Sequence, residues 1–123
     1  MGSAELKSAL QDTNEVELTT TGRKSGKPHE IEIWFGIRDG TLYLLSGGGD
    51  GADWVKNIRE RSGVRIRINS QATWARARIL RPGTRQDLAA RELLDAKYMA
   101  WRPGKKLSSW ARGALPVAID LAR

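Results

Sequence analysis

Residues 18–28 read Leu-Thr-Thr-Thr-Gly-Arg-Lys-Ser-Gly-Lys-Pro, so that a β-rich run breaks into a turn with three cations, hydroxyls and two glycines. Glycines allow successive backbone N–H groups to point at one spot, and concave turns of this kind bind anions. The stretch therefore predicts an anion-binding turn formed by Arg23, Lys24, Ser25 and Lys27. Taken alone, the same residues would also suit an exposed basic hairpin turn.

A second glycine-rich segment, Ser-Gly-Gly-Gly-Asp-Gly at residues 46–51, runs into a helical pattern that starts near Asp53. Helix N-termini attract anions because their first N–H groups lack partners. Asp50 and Asp53 are candidate N-caps of this helix, and a carboxylate cap would compete with a phosphate for these N–H groups. We therefore expect the basic turn at Arg23 to be the firmer phosphate site.

The hydrophobic pattern predicts a mainly β protein with a few helices, of the α+β class. Alternating apolar and polar residues indicate six strands, at residues 15–21, 29–38, 41–45, 64–68, 73–80 and 115–121. Helical spacing indicates short helices at residues 4–11, 53–61, 84–98 and 108–112. Because the helices fall between hairpins and do not alternate strictly with strands, a small closed or split β-barrel fits better than a doubly wound sheet.

The chain has 123 residues, of which 40% are hydrophobic, and this predicts a single domain spanning residues 1–123. It contains no cysteine, which excludes disulfides, thiolate metal sites and cysteine nucleophiles. With His29 as its single histidine, a zinc site is not expected. The N-terminus lacks an apolar signal segment and no long apolar run occurs, so a soluble cytoplasmic protein is expected.

The formal net charge is +7, which favours a polyanionic partner: nucleic acid, an anionic lipid surface or a phosphorylated cofactor. Four arginines and four glutamates alternate along predicted strands, and each set would project from one face of the sheet. Like charges on one face repel unless they find partners, so we expect cross-strand ion pairs and interpret this face as solvated, not as a nucleic-acid surface. The residues concerned are Arg65, Arg67, Arg76 and Arg78, with Glu15, Glu17, Glu30 and Glu32.

The side chains offer little acid-base or covalent chemistry of their own. His29 follows Pro28 in a polar turn, where a solvated side chain is expected. Glu30 and Glu32 share a strand face with basic neighbours and are interpreted as members of ion pairs, not as an acid and base couple. Such a deficit is typical of an enzyme whose cofactor carries the reactive group while the protein supplies binding, orientation and electrostatics.

Four segments together resemble the deazaflavin-dependent nitroreductase and quinone reductase family: Thr-Thr-Thr-Gly-Arg-Lys-Ser-Gly at residues 19–26, the strand at residues 30–37, Ser46-Gly47-Gly48, and Trp54-x-x-Asn57. The likeness extends over residues 15–68, with weaker agreement over residues 98–121. It implies a six-stranded split β-barrel of the FMN-binding split-barrel type, with short flanking helices. It also implies an oxidoreductase in which reduced coenzyme F-420, an 8-hydroxy-5-deazaflavin, transfers hydride to a quinone, a nitroaromatic compound or an enone.

The resemblance also implies roles for individual residues. The basic turn and Lys56 of the helix predicted at residues 53–61 would bind the phosphate and acidic tail of the cofactor. The strand predicted at residues 29–38 and the glycine-rich segment at residues 46–51 would border its ring. The aromatic faces of Tyr98, Trp101 and Trp110 would stack on the acceptor. The implied cofactor-binding residues are Arg23, Lys24, Ser25, Lys27, Ile33, Trp34, Phe35, Ser46, Gly47, Gly48, Trp54, Lys56 and Asn57; the implied catalytic hydroxyls are Ser46 and Tyr98, and no metal is implied.

Two other functions stay open at this point. The split-barrel fold also occurs in flavin mononucleotide (FMN) and haem proteins, and the basic turn would accept a single phosphate equally well. A non-catalytic basic β-barrel that binds nucleic acid or an anionic membrane is the second alternative, and only Trp74 beside Arg76 and Arg78 approaches the aromatic and basic pattern that it requires. We expect no nucleic-acid partner. A quinone acceptor would bring peripheral contact with a membrane, and a homodimer would complete a shallow cofactor groove.

Overall fold

The computed structural model describes residues 13–121, and within this range the chain forms one antiparallel sheet of seven strands, in the order β2-β1-β5-β6-β7-β4-β3. The helix predicted at residues 4–11 lies outside the described residues. The strands are β1 (Glu15–Thr21), β2 (Pro28–Trp34), β3 (Gly36–Arg38), β4 (Thr41–Ser46), β5 (Gly63–Ile68), β6 (Gln71–Ile79) and β7 (Leu115–Asp120). The helices are α1 (Asp53–Glu60), α2 (Arg85–Met99) and α3 (Ser109–Gly113), with a 3₁₀ turn at Gly49–Gly51 before α1.

The core lies on the inner face of this sheet. Side chains alternate between the two faces of a strand, and the register places Leu18 opposite Ile66 and Leu42 opposite Ile119. All four side chains are fully buried in one apolar cluster. Because the sheet twists and curls around this cluster, it forms a half-barrel. The mainly β, split-barrel architecture expected from the sequence is confirmed.

The expected strand count of six is wrong, because the strand predicted at residues 29–38 is divided into β2 and β3. The break lies at Phe35, whose side chain is fully buried in the inner core. Its backbone N–H donates to the Tyr98 hydroxyl at 3.0 Å, and its carbonyl accepts from Lys97 Nζ at 3.0 Å. Since α2 occupies these two backbone groups, the chain turns a corner here, leaves β1 and pairs next with β4.

Helix α1 begins without a side-chain cap. Its N-cap residue is Ala52, so the expected capping by Asp50 or Asp53 is wrong. Asp50 instead forms an ion pair with Arg59 at the far end of the helix. Asp53 lies in the first helical turn, where an acidic side chain interacts favourably with the helix dipole, and its carboxylate faces Arg23.

Helices α2 and α3 cover the outer face of β4 and β7. Tyr43 and Ala118 on that face pack with Ala90 and Leu94 of α2 in a second apolar cluster. The positions of these two helices agree with the sequence prediction to within one residue at each end. No helix among residues 13–121 has the length and apolar character needed to cross a membrane.

The outer face of β1, β5 and β6 carries the expected cross-strand ion pairs only in part. Arg67 Nη2 lies 2.7 Å from Glu17 Oε2, and the hydrogen bond from Arg67 holds the pKa of Glu17 below its ordinary value. Arg78 does not pair with a glutamate; its Nε lies 2.8 Å from Asp120 Oδ2 of β7 and lowers the pKa of Asp120. Arg67 and Arg78 are exposed despite these ion pairs, so this face is open to solvent.

Candidate functional site

A cavity of about 600 Å³ opens between the basic turn, the β1–β2 hairpin and helix α1. The turn contributes Arg23, Lys24 and Ser25 to its lining, and α1 contributes Trp54 and Asn57. These are five of the residues that the family resemblance implies for cofactor binding. The structure therefore brings together residues that lie about thirty positions apart in the chain, on the two sides of one cavity.

Backbone hydrogen bonds close the basic turn. The Gly22 N–H donates to the Lys27 carbonyl at 2.8 Å, and the Gly26 N–H donates to the Gly22 carbonyl at 2.9 Å. Gly26 has a φ of +73°, a conformation that side-chain-bearing residues rarely adopt. Ser25 Oγ accepts from the Lys27 N–H at 3.1 Å, so its hydroxyl proton is still available as a donor.

Asn57 fastens Arg23 to helix α1. Its Oδ1 accepts from the Arg23 backbone N–H at 3.2 Å and from Arg23 Nη1 at 2.8 Å, while its Nδ2 donates to Thr20 Oγ1 at 3.1 Å. Asp53 Oδ1 lies 3.4 Å from Arg23 Nη2. These side-chain contacts use two of the five guanidinium N–H groups, so Arg23 is held in place and can still bind an anion.

Replacing Asn57 with alanine is expected to destabilise the protein and to loosen Arg23. Asn57 is only 3% exposed, so the change removes three hydrogen bonds where water replaces them poorly. We expect a loss of about 2 kcal/mol of unfolding free energy, measured by urea denaturation. The matched variant Asn57→Asp keeps an acceptor for Arg23, loses the donor to Thr20 and adds a negative charge. Equal stability of the alanine variant and the unmodified protein would contradict this role.

Gly22 is required because a side chain at this position would collide with its neighbours. Its φ is not positive, so the backbone conformation itself does not demand glycine. A Cβ at this position would lie 2.6 Å from Ser25 Oγ and 2.7 Å from His29 Nε2. The missing side chain therefore allows the Ser25 hydroxyl and the His29 imidazole to pack against the backbone of Gly22. Ser25, His29, Arg23 and Lys24 line the same cavity, and hydroxyl, imidazole, guanidinium and ammonium groups are donors that suit a phosphate.

Other residues predicted to bind the cofactor do not line this cavity. Lys27 and Lys56 are exposed, on the turn and on α1 respectively. Gly47 and Gly48 are exposed in the loop that follows β4, and Ile33 packs against the inner core. The glycine loop and the basic turn therefore do not border one common cavity.

Three other predicted residues, Trp34, Phe35 and Tyr98, meet at the corner between β2 and β3, whereas Ser46 ends β4. Trp34 lies on the outer face and stacks on Tyr98, with ring centroids 4.4 Å apart. The Tyr98 hydroxyl also donates to the Phe35 carbonyl at 2.9 Å, and burial raises its pKa. Ser46 is 2% exposed and its hydroxyl donates to the Gly49 carbonyl at 3.0 Å. Neither predicted proton donor lies in the cavity lining.

His29 is exposed, as expected from the sequence, and it also lines the cavity, which sequence reasoning did not predict. It pairs with Thr20 across the β1–β2 hairpin, and directly opposed residues share a face of the sheet. Thr20 and Ile31 line the same cavity. The available signal was the two-residue alternation, because His29 has the same parity as Ile31 and Ile33, which pack against the core. Residues 13–121 contain no cluster of three acidic or histidine side chains that could bind a metal ion.

Three solved structures with a similar fold span most of the chain. A conserved hypothetical protein of Mycobacterium tuberculosis has a TM-score of 0.77 at 16% identity, covering 100% of this chain and 82% of that one. The haem storage protein HutZ of Vibrio cholerae has a TM-score of 0.75 at 12% identity, covering 98% and 90%. The F-420-H2-dependent reductase FDR-A has a TM-score of 0.64 at 19% identity, covering 86% and 93%. At these identities the likeness shows the shared fold alone.

The match to a family model is more specific than the shared fold. The model is described as F-420-H(2)-dependent quinone reductase, and it covers residues 2–120. This range includes the basic turn, both walls of the cavity and all seven strands. The chain belongs to the F-420-H(2)-dependent quinone reductase family and is a reductase that uses coenzyme F-420.

Proposed function

We propose that this protein transfers hydride from reduced coenzyme F-420 to a small planar acceptor, a quinone in the first instance, and that the cavity beside the basic turn binds the cofactor. The supporting observation is that Arg23, Lys24, Ser25 and His29 all line this one cavity. Such a donor group matches the phosphate of the cofactor. The family membership supplies the identity of that cofactor.

The cavity also has the size and the mixed lining that a deazaflavin needs. Its volume of about 600 Å³ lies within the usual range for small-molecule sites. Trp54 and Ile31 offer apolar surface, which suits a flat ring, while the basic turn lies at one side. Phosphate at the turn and ring toward these apolar side chains is the arrangement that we propose.

The bound reduced deazaflavin supplies the hydride, and the residues of the chain bind and orient it. Arg23 is preorganised for this role, because Asn57 and Asp53 hold its guanidinium before any ligand arrives. A quinone that accepts a hydride also takes up a proton to become a hydroquinone. The hydroxyls of Ser46 and Tyr98 are bonded to backbone carbonyls, so we assign that proton to solvent at the cavity mouth, where Ser25 and His29 are exposed.

Parallel fluorescence titrations with oxidised coenzyme F-420 and with FMN test the cofactor assignment. We expect tighter binding of coenzyme F-420, because its longer anionic tail reaches more of the cationic turn. Oxidation of reduced coenzyme F-420 should then proceed faster with protein than without it when a benzoquinone is added. A nitroaromatic compound and an enone, tested at the same concentration, define the acceptor class. Tighter binding of FMN would overturn the proposal in favour of a flavin protein.

A further inference from the structure

We propose that the α2–α3 loop, residues 100–108, binds the headgroups of an anionic lipid bilayer and so brings the enzyme to a quinone dissolved in that bilayer. The inference rests on the proposed function, because the quinone acceptor comes from it. The charge of the loop, its fixed conformation and the exposed apolar side chains beside it support the inference.

The α2–α3 loop and the start of α3 carry an excess of positive charge. Residues 96–119 contain five cations and no aspartate or glutamate. One of them, Lys97, directs its ammonium to backbone carbonyls, and the other four are exposed: Arg102, Lys105, Lys106 and Arg112. The ion pairs found among residues 13–121 all involve cations elsewhere in the fold. An anionic lipid surface attracts such a cluster of cations.

Hydrogen bonds hold the loop against the end of α2. The Trp101 N–H donates to the Asp95 carbonyl at 3.2 Å, and Trp101 Nε1 donates to the Lys105 carbonyl at 2.8 Å. Ser108 donates to the Asp95 carboxylate through its hydroxyl at 2.6 Å and through its N–H at 2.9 Å. Asp95 is 1% exposed, so its carboxylate acts inside the fold. Because the loop is already ordered, binding costs little conformational entropy.

Two apolar side chains reach the surface beside the loop. Met99, the last residue of α2, is 45% exposed, and Trp34 is 39% exposed. The rings of Trp34 and Trp110 of α3 meet edge to face with centroids 5.5 Å apart, which places Trp34 next to the loop region. Surfaces that lie on membranes combine cations with apolar and tryptophan side chains that enter the headgroup layer. Since Tyr98 already covers one face of Trp34 and a base would gain little from Met99, a bilayer fits better than nucleic acid.

Co-sedimentation with lipid vesicles tests the inference. The vesicles contain phosphatidylglycerol and phosphatidylcholine in equal parts, and vesicles of phosphatidylcholine alone are the control. We expect binding to the anionic vesicles alone, and this binding should weaken with added salt. The variant Lys105→Ala, Lys106→Ala should bind about 25-fold more weakly, since each basic residue near an anionic surface contributes about fivefold.

Two further variants separate the loop from the overall charge. Arg23→Ala, Lys24→Ala removes the same charge at the basic turn and should bind the anionic vesicles almost normally. Met99→Ser leaves the charge unchanged and should weaken vesicle binding several-fold, because it removes apolar surface from the headgroup layer. Thermal denaturation establishes that all variants are folded.

Activity assays connect vesicle binding to the acceptor. With a long-chain quinone in the anionic vesicles, the Lys105, Lys106 variant should oxidise reduced coenzyme F-420 more slowly than the unmodified protein. With a soluble benzoquinone the two proteins should have equal rates. Equal rates with the vesicle-bound quinone as well would overturn the link between this surface and the acceptor.

Absence of binding to anionic vesicles, or an equal loss in both double variants, overturns the lipid surface and leaves the reduction of soluble benzoquinone intact. Tighter binding of a single-stranded oligonucleotide than of the vesicles, lost in the Lys105, Lys106 variant, overturns it in favour of a nucleic-acid surface. If the unmodified protein binds the vesicles and fails to reduce benzoquinone, the proposed function and the quinone link are overturned, while the lipid surface stands.

Discussion

The double variant Arg23→Ala, Lys24→Ala is expected to bind coenzyme F-420 about 150-fold more weakly than the unmodified protein. Each substitution removes a charged donor from the cavity lining, and a hydrogen bond to a charged group contributes roughly 1.5 to 3 kcal/mol. Lys24 is exposed and Arg23 is partly so, hence we take the lower value for both, about 3 kcal/mol in total. Fluorescence titration with the oxidised cofactor measures the effect directly.

A charge-matched control separates local contacts from the overall attraction of a basic protein. Lys105→Ala, Lys106→Ala removes the same two charges from exposed positions that do not line the cavity, and it should bind the cofactor almost normally. Binding by the unmodified protein should weaken with added salt, and the Arg23, Lys24 variant should show a shallower salt dependence. If both double variants lose affinity equally, the basic turn is not the phosphate site.

Replacing Phe35 with alanine is expected to cost about 3 to 5 kcal/mol of unfolding free energy, the usual range for a fully buried aromatic side chain. Phe35 fills the core at the corner where β2 ends and β3 begins, and Lys97 Nζ lies 3.6 Å from the centroid of its ring. The substitution leaves a cavity in the core and removes this cation–π contact as well. Thermal and urea denaturation measure the loss.

Leu88→Ala is the matched control for this prediction. It also removes a large apolar side chain, but Leu88 is 50% exposed on α2, so the change should alter stability by less than about 0.5 kcal/mol. A Phe35 variant as stable as the Leu88 variant would show that the corner is not anchored by this ring. The β1–β2 hairpin forms one wall of the cavity. The Phe35→Ala variant should therefore also bind the cofactor more weakly at temperatures near its thermal unfolding transition.

Features that depend on neighbours along the chain could be predicted from the sequence. The basic turn is of this kind, since Gly22, Gly26 and the cations between them act within a few residues of one another. The N-cap of α2 is another, because Thr84 accepts from Asp87 only three positions away. The sequence prediction failed where a residue distant in the chain makes the deciding contact. The strand that is divided into β2 and β3 is the clearest case, since Tyr98 lies 63 positions beyond the Phe35 backbone that it binds.

The sequence by itself determined the mainly β class, the hairpin with its basic turn and the lack of reactive side chains that points to a cofactor, because these features depend on local spacing and on residue types. The tertiary structure alone decided that Asn57 binds Arg23 and that Tyr98 binds the backbone at the corner between β2 and β3, away from the cavity. The docking of helices α1 and α2 on the sheet governs these two outcomes. Both are long-range contacts of the folded chain, which no pattern of neighbouring residues encodes.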